Sequence, residues 1–510
     1  MPVVQQGSIN TTALWVPDVY TQIVAPNNYL LNGLPTNVIG FVGTASWGPV
    51  NAPTKVSSMP SYNQNFGNVM PRLYDMGTAV WAAVLNGANN INCVRVTDGT
   101  DTAATATLTA ASAADATAIA AAINAGSSAL RGPSQVVVAS ASTTTVTITA
   151  KYTGSTGNTI TASIGPASKV SQTRVVISLP GMLPESFDNL GAASASPASV
   201  TLAGGTDGAT NITSSVLVGV DTIPRKGMYA LRNTGTSIAA LVDCSDTTSF
   251  TAQVAYGLSE GTYMVGVTPA GDTIANAVST KATAGIDSYT FRYMFGDWIL
   301  FNDTINNVQR LISPQGFVVG RMSALSPEQS LLNKPMQGIV ATQSTLQNKI
   351  YAEADLQTLA QAGISVITNP IPAGNMFGDR IGCNSSSNQV INGDNYTRLT
   401  NYIAYTVNAG MGLYIGKLQT PKARADAQGT INAFLGALWK QGMIGDVNNP
   451  TQQPFSVQLN AANNPANRVA LGYMQIDVAV TYLSVITKLI LNIQGGQSVS
   501  VTVNSTTPAR

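Results

Sequence analysis

The chain has no histidine in 510 residues, and only 10% of it is charged, against roughly a quarter in ordinary soluble proteins. Without histidine, the usual general base of a hydrolytic triad and the commonest zinc ligand are both missing. Cys93, Cys244 and Cys383 are odd in number and far apart, which argues against a disulfide framework or a thiolate metal cluster; they read as buried free thiols in a reducing compartment. With 25 basic and 24 acidic residues the formal net charge is +1, and no run of Lys or Arg stands ready to neutralise a row of phosphates. Direct nucleic-acid binding is therefore not expected. No uninterrupted apolar run reaches about 18 residues, and residues 1–10 carry no basic stretch ahead of an apolar core. Neither membrane insertion nor a secretory leader is expected.

Polarity is supplied instead by Ser, Thr, Asn and Gln beside a 44% hydrophobic fraction. Low charge weakens colloidal repulsion and favours broad contacts rich in amides and hydroxyls, which suits a subunit of an assembly. A chain of this length exceeds one ordinary core and should divide into two to four domains.

Patterning divides it further. Residues 1–28 read as an extended arm in which Val3, Val4, Ile9, Leu14, Trp15 and Tyr20 cannot bury one another, and Pro17 holds Val16 extended. From residue 37, Val38 to Val42 reads as a buried strand, Leu73, Met76, Val80 and Val84 as one helix face, and Ile91 to Val96 as a second strand. Strand, helix, strand implies a parallel crossover. Between 101 and 205 the composition shifts to Ala, Thr, Ser and Gly, with a helix expected over 114–123 and strands near 136–138, 146–148 and 175–179. The α/β pattern then resumes, with strands expected at 215–220, 238–242, 263–267, 298–301 and 364–367 and helices near 248–258, 271–282, 314–324 and 346–361.

Towards the C-terminus, Tyr396, Leu399, Ile403 and Val407 fall at helical spacing. Thr420 and Pro421 can open a second helix whose Ile431, Phe434, Leu435 and Leu438 share a stripe. Val469, Leu471 and Tyr473, then Ile476, Val478, Val480 and Tyr482, alternate in two phases and read as strands separated by a bulge or break. After Gly495 and Gly496, the run Val499, Val501 and Val503 is a strand-former that must close its own sheet or lend an edge to another molecule.

The expected fold is α/β and multidomain. It comprises a doubly wound, mainly parallel sheet over 29–100 and 206–375, an inserted small β-rich or α+β domain over 101–205, and an α+β C-terminal domain over 376–484. Extended terminal arms, 1–28 and 485–510, complete it.

Few residues carry chemistry. Gly257, Ser259 and Gly261 match the nucleophile-elbow string, but no histidine exists to complete a triad, so Ser259 and Glu260 read as a solvated helix end. The Gly40 to Pro49 turn lacks both the dinucleotide spacing and a Lys-Ser/Thr pair. Asp297 and Asp303, like Asp243 and Asp246, sit at strand ends, where turn and cap roles compete with metal binding or acid–base work. Arg95, Arg292, Arg310, Arg321, Arg380, Arg398 and Arg468 can each anchor a carboxylate or carbonyl at an interface, or serve within the chain. No catalytic, cofactor or metal site is expected.

Several of these blocks resemble the contractile-tail sheath proteins of myovirus-type bacteriophages. Pro17, Asp18, Val19 and Tyr20 are similar to that family's arm motif, with Asp18 in place of glycine. The run Gly40 to Pro53 followed by Phe66 and Gly67 resembles its first-strand block, and Asn89 to Val96 its second strand. Ser313 to Gly320, Asn333 to Gly338, Ala362 to Ile367 and Trp439 to Gly445 resemble later blocks in the family's order. The resemblance implies a structural protein without cofactors. Hexameric discs would stack as a helical sleeve around a tail tube protein, bounded by baseplate and tail terminator proteins, assembled in the host bacterial cytoplasm and carried in the virion tail. Contraction would drive the tube through the host envelope for genome delivery. Val3, Val4, Ile9, Trp15, Tyr20, Val499, Val501 and Val503 are the expected intersubunit residues, with 376–484 facing the tube and 101–205 outermost. The alternatives are a tail-tube or capsid component and a histidine-independent α/β hydrolase.

Overall fold

The computed structural model describes residues 31–127, 131–191 and 199–491, and the backbone alone of 3–4, 21–22 and 195–196. Its centre is a six-stranded sheet of β1 (Ile39–Gly43), β2 (Thr54–Val56), β3 (Ile91–Arg95), β4 (Ile238–Leu241), β5 (Tyr263–Val267) and β6 (Phe291–Met294). The strand order is β6-β5-β4-β1-β3-β2, parallel throughout except for the antiparallel edge strand β2.

Both faces of this sheet are covered, which is why its strands are apolar without alternation. Ile39, Phe41, Ile91, Cys93, Ile238, Ala240, Tyr263 and Val265 form one face, packed under helices α1 (Met76–Leu85) and α2 (Gln315–Ser323). Val42, Val94, Ala239, Leu241, Met264, Phe291 and Tyr293 form the other, under helices Phe250–Glu260, Ile274–Thr283 and Glu353–Gln361. The two helices of the first face lie very close together. A Cβ at Gly320 would stand 2.4 Å from the Ala83 Cα, and one at Gly316 would stand 2.7 Å from the Ala79 carbonyl oxygen. Glycine there is a packing requirement.

Between β3 and β4 the chain builds two four-stranded sheets around a core of their own, closed by helix Ala113–Ala125. Trp47 from the β1–β2 connection reaches into that core. At the root, buried Arg95 donates to the carbonyls of Gly48 (2.8 Å), Thr153 (2.7 Å) and Asp207 (3.2 Å), while Arg72 pairs with the Asp207 carboxylate at 2.5 Å. One arginine at the end of β3 thus ties the middle of the excursion, at Thr153, and its return, at Asp207, to the β1–β2 connection.

The C-terminal body consists of α3 (Asp394–Met411), α4 (Pro421–Lys440) and the antiparallel pair Phe455–Gln458 with Asp477–Val480. The expected stripes meet in one cluster: Leu399 and Ile403 from α3 with Ile431, Phe434, Leu435 and Leu438 from α4, over Phe455 and Val457. Thr420 caps α4 by accepting from the Ala423 N–H at 3.1 Å, with Pro421 at its first position.

Several expectations are corrected. Residues 215–220 are not a strand: 215–218 lie in helix Ser214–Val218, which is ended by Gly219 at φ +70°. Val469, Leu471 and Tyr473 are not in a strand. Pro465 opens a short helix over Ala466–Ala470, and only Asp477–Val480 pairs. The helix expected over 346–361 is confined to Glu353–Gln361, with Asn348 at φ +53° in the connection before it. The strand near 298–301 exists as Ile299–Asp303, but it joins a separate antiparallel sheet with Val308–Ile312 and Ala341–Thr342. Leu73 precedes α1 and is exposed. All three cysteines are buried and free.

Candidate assembly surface

The acidic and nucleophilic candidates resolve into structural roles. Asp297 accepts from the Ser344 N–H (2.8 Å) and the Tyr351 hydroxyl (2.8 Å), and Asp303 from Asn306 and Arg310 (both 2.9 Å). Asp246 accepts from the Thr248 N–H at 3.0 Å, and Ser259 donates to the Tyr256 carbonyl at the end of its helix. Glu260 pairs with Arg232 at 2.8 Å. Among the described residues no group of three or more His, Cys, Asp or Glu side chains is arranged to hold a metal ion, and no helix is long and apolar enough to cross a membrane.

Arg292, Arg310, Arg398 and Arg468 are also engaged within the chain. Arg292, on β6 and wholly buried, bonds Asp379 at 2.7 Å and Asp394 at 3.2 Å and donates to the Ser365 hydroxyl at 3.0 Å. Burial alone would pull its pKa down, but Asp379, Tyr263 and Asp394 outweigh this and raise it, so Arg292 stays charged. One turn into α3, buried Arg398 donates to the carbonyls of Leu325 (2.7 Å) and Ser326 (3.1 Å), just past the end of α2. Arg310 pairs with Asp303, and Arg468 donates to Gln475 at 2.6 Å. The start of α3 is therefore locked to the central sheet by charge. Uncharged surfaces stay open elsewhere on the molecule.

Two such surfaces lie on the C-terminal body. The first is a strand edge. On the outer side of Phe455–Gln458, Gln428 donates to the Val457 carbonyl (2.7 Å) and Gln453 to that of Phe455 (2.9 Å), while Asn463 spans the end of the pair, donating to the carbonyls of Gln458 (2.7 Å) and Gln475 (3.3 Å) and to the Asp477 carboxylate (2.9 Å). Among the described residues no side chain donates to a main-chain carbonyl of Asp477–Val480, and the strand pairs on one side only. A two-stranded sheet with an open edge is marginal by itself and a template for a further strand.

The second is the chain that follows that edge. Tyr482 still packs against Tyr396 and the α3–α4 core. Beyond it, Ile486 (80% exposed), Leu489 (76%), Ile490 (82%) and Leu491 (71%) lie outside any helix or strand with their side chains in solvent. Four aliphatic side chains within six residues are thus left open as an apolar patch.

The other arm starts from the same body. Leu31 lies over Gly410 of α3, where an added Cβ would stand 1.8 Å from a Leu31 methyl carbon, and Gly33 lies equally tight against the Tyr402 hydroxyl. The Leu34 N–H donates to the Thr406 hydroxyl at 3.2 Å. Both ends of the chain therefore leave from the C-terminal body. Of the expected contact residues, Val3 and Val4 form a two-residue parallel pair with Thr21–Gln22. Ile9, Trp15, Tyr20, Val499, Val501 and Val503 lie outside the described residues. The exposed run at 486–491 lies within the arm expected over 485–510, although Ile486, Leu489, Ile490 and Leu491 are not among the expected contact residues.

No family model matches the chain, and no curated protein does. Solved structures do. The helical sheath of the anti-feeding prophage in its contracted state is similar with a TM-score of 0.57 at 12% identity, over 95% of this chain and 100% of that one. A sheath tail protein from Listeria innocua is similar at 0.56 and 14% identity, over 84% and 90% of the two chains. One from Desulfitobacterium hafniense gives 0.56 and 14%, over 86% and 92%. The chain has the fold of contractile-tail sheath proteins.

Proposed function

We propose that this chain is the structural subunit of a contractile phage tail sheath, polymerising as stacked hexameric rings around a tail tube protein and contracting to drive the tube through the host envelope for genome delivery. The observation that carries the reading is the pairing of opposites on one body: an uncovered strand edge at Asp477–Val480 and, a few residues later, an exposed aliphatic run. Copies placed in series would each complete the next, with main-chain bonds that persist while the bodies rotate. The likeness to sheath structures over nearly the whole chain supports the same reading.

In this reading 29–100 and 206–375 form the doubly wound sheath domain, 101–205 its outer decoration, 376–484 the inner lattice facing the tube, and 1–28 and 485–510 the exchanged arms. Val3, Val4, Ile9, Trp15, Tyr20, Val499, Val501 and Val503 are the intersubunit residues. Baseplate and tail terminator proteins bound the sleeve, which assembles in the host cytoplasm and is carried in the virion tail. No step requires a cofactor. Low charge fits a lattice with two packings, because amide and hydroxyl surfaces re-pair without burying isolated ions. Negative-stain imaging of the chain expressed with its tube partner tests the proposal: striated sleeves are expected, and a uniformly monomeric or capsid-like product would overturn it.

A further inference from the structure

Where β1 and β4 begin, the central sheet faces α3 across a cavity of about 250 Å³, room for roughly eight waters. Interiors are close-packed and voids larger than one water are few, so an opening of this size stands apart. Its walls belong to two bodies. Val38 and Ile238, at the starts of β1 and β4, and Leu34 and Pro35 of the segment leading in supply apolar surface. Asn401, Tyr402 and Tyr405 of α3 supply the other side. Mostly apolar clefts between domains, with a few polar groups in them, are where small molecules bind.

The cleft runs across the strand order. Toward β5 it is shut, because α3 comes so near that a Cβ at Gly261 would stand 2.7 Å from the Tyr405 ring. Toward the opposite edge it reaches Lys55 on β2, which is exposed. The polar groups along it are unspent. Among the described residues the side chains of Asn90, Asn401 and Tyr405 make no hydrogen bond, and Lys55 makes no ion pair.

The charge in the cleft is of one sign, since no Asp or Glu lines it. Arg398 does, but its two Nη atoms are held by the carbonyls of Ser326 and Leu325. Of the carboxylates beside the cleft, Glu260 pairs with Arg232 at 2.8 Å, and Glu328, whose charge acts on Arg398, accepts from the Ser326 hydroxyl at 2.6 Å. Lys55 is left as the cation without a counter-charge. The volume lies just under the roughly 300 Å³ at which pockets for drug-sized ligands begin, so it suits a molecule of one ring and not a peptide strand.

We infer that this cleft binds a small anion carried on a ring, with the ring between the apolar wall and the tyrosines and the acid group toward Lys55. Because the walls come from both bodies, the ligand would hold α3 to the sheet and stabilise the folded chain in proportion to occupancy. The site stands or falls independently of what the chain assembles into.

Calorimetric titration of the full chain with benzoate, 4-hydroxybenzoate and phenyl phosphate tests this, with benzamide as the uncharged counterpart of benzoate. At least one of the three anions should saturate a single site, and benzamide should bind at least roughly tenfold more weakly than benzoate. Lys55→Glu, a change at an exposed position, should weaken the anion at least roughly tenfold. Lys169→Glu makes the same charge change at an exposed turn of the inserted sheets and should leave binding unaltered. The bound anion should also slow hydrogen exchange in peptides covering 234–238 and 398–405. No saturable binding by any of the three, equal affinity in Lys55→Glu, equal loss in both variants, or unchanged exchange in those peptides would each overturn the proposal.

Discussion

Removing residues 485–510 is expected to leave a folded monomer and to abolish long sleeves. The cut lies beyond Tyr482 and Leu483, whose contacts with Tyr396 and Gly445 remain. Ile486, Leu489, Ile490 and Leu491 are mostly exposed, so removing them takes little from the core, and monomer stability should change by less than about 0.5 kcal/mol. Assembly is different. Burying an aliphatic side chain of this kind contributes about 1.5–3 kcal/mol, and each strand-pairing hydrogen bond about 0.5–1.5 kcal/mol net. Even after the cost of ordering the arm, several of each per contact separate a filament from free subunits, and the loss repeats at every junction. Thermal unfolding and electron micrographs of the truncated chain read the two halves. A shorter deletion, of the last ten residues alone, should have the same sense.

Replacing Arg292 by Ala should destabilise the chain by about 3–5 kcal/mol, because Asp379 and Asp394 would be left buried without their counter-charge. The damage should be local first. Asp394 opens α3 and also accepts from the Leu331 N–H at 2.8 Å, so release of this carboxylate frees the start of that helix from the sheet. An uncompensated carboxylate costs less once it is protonated, so the penalty should shrink as pH falls from 7 towards 4. Urea unfolding at the two pH values checks both sign and size. A loss below about 1 kcal/mol at pH 7 would mean that the cluster does not lock the C-terminal body to the sheet.

This cluster also explains one limit of the sequence. A strand at Phe291–Met294 is hard to see because Arg292 interrupts an apolar run, and the two carboxylates that neutralise it lie far along the chain. Local pattern carries no trace of a partner so distant. Where burial is one-sided or continuous the reading works: Ile39–Gly43, Ile91–Arg95 and Tyr263–Val267 are strands because every residue in them is buried. The α3 and α4 stripes, and the cap at Thr420, are equally direct. Val216 and Val218 mislead, since β-branched residues favour a strand while Gly219 and the packing of Leu217 hold one helical turn. The candidate contact surface was legible only in outline. That both terminal segments read as arms follows from their patterning, but which edge is uncovered depends on Gln428 and Gln453, whose positions on the fold no spacing rule gives.

The central claim is that each copy supplies the strand its neighbour lacks. A cryo-EM reconstruction of assembled sleeves, traced through residues 1–30 and 492–503, tests it most directly. The expected result is that these segments run to adjoining subunits, with at least one of them hydrogen-bonded along Asp477–Val480. Tracing both segments back onto their own chain, with that edge bare or covered from within, would contradict it.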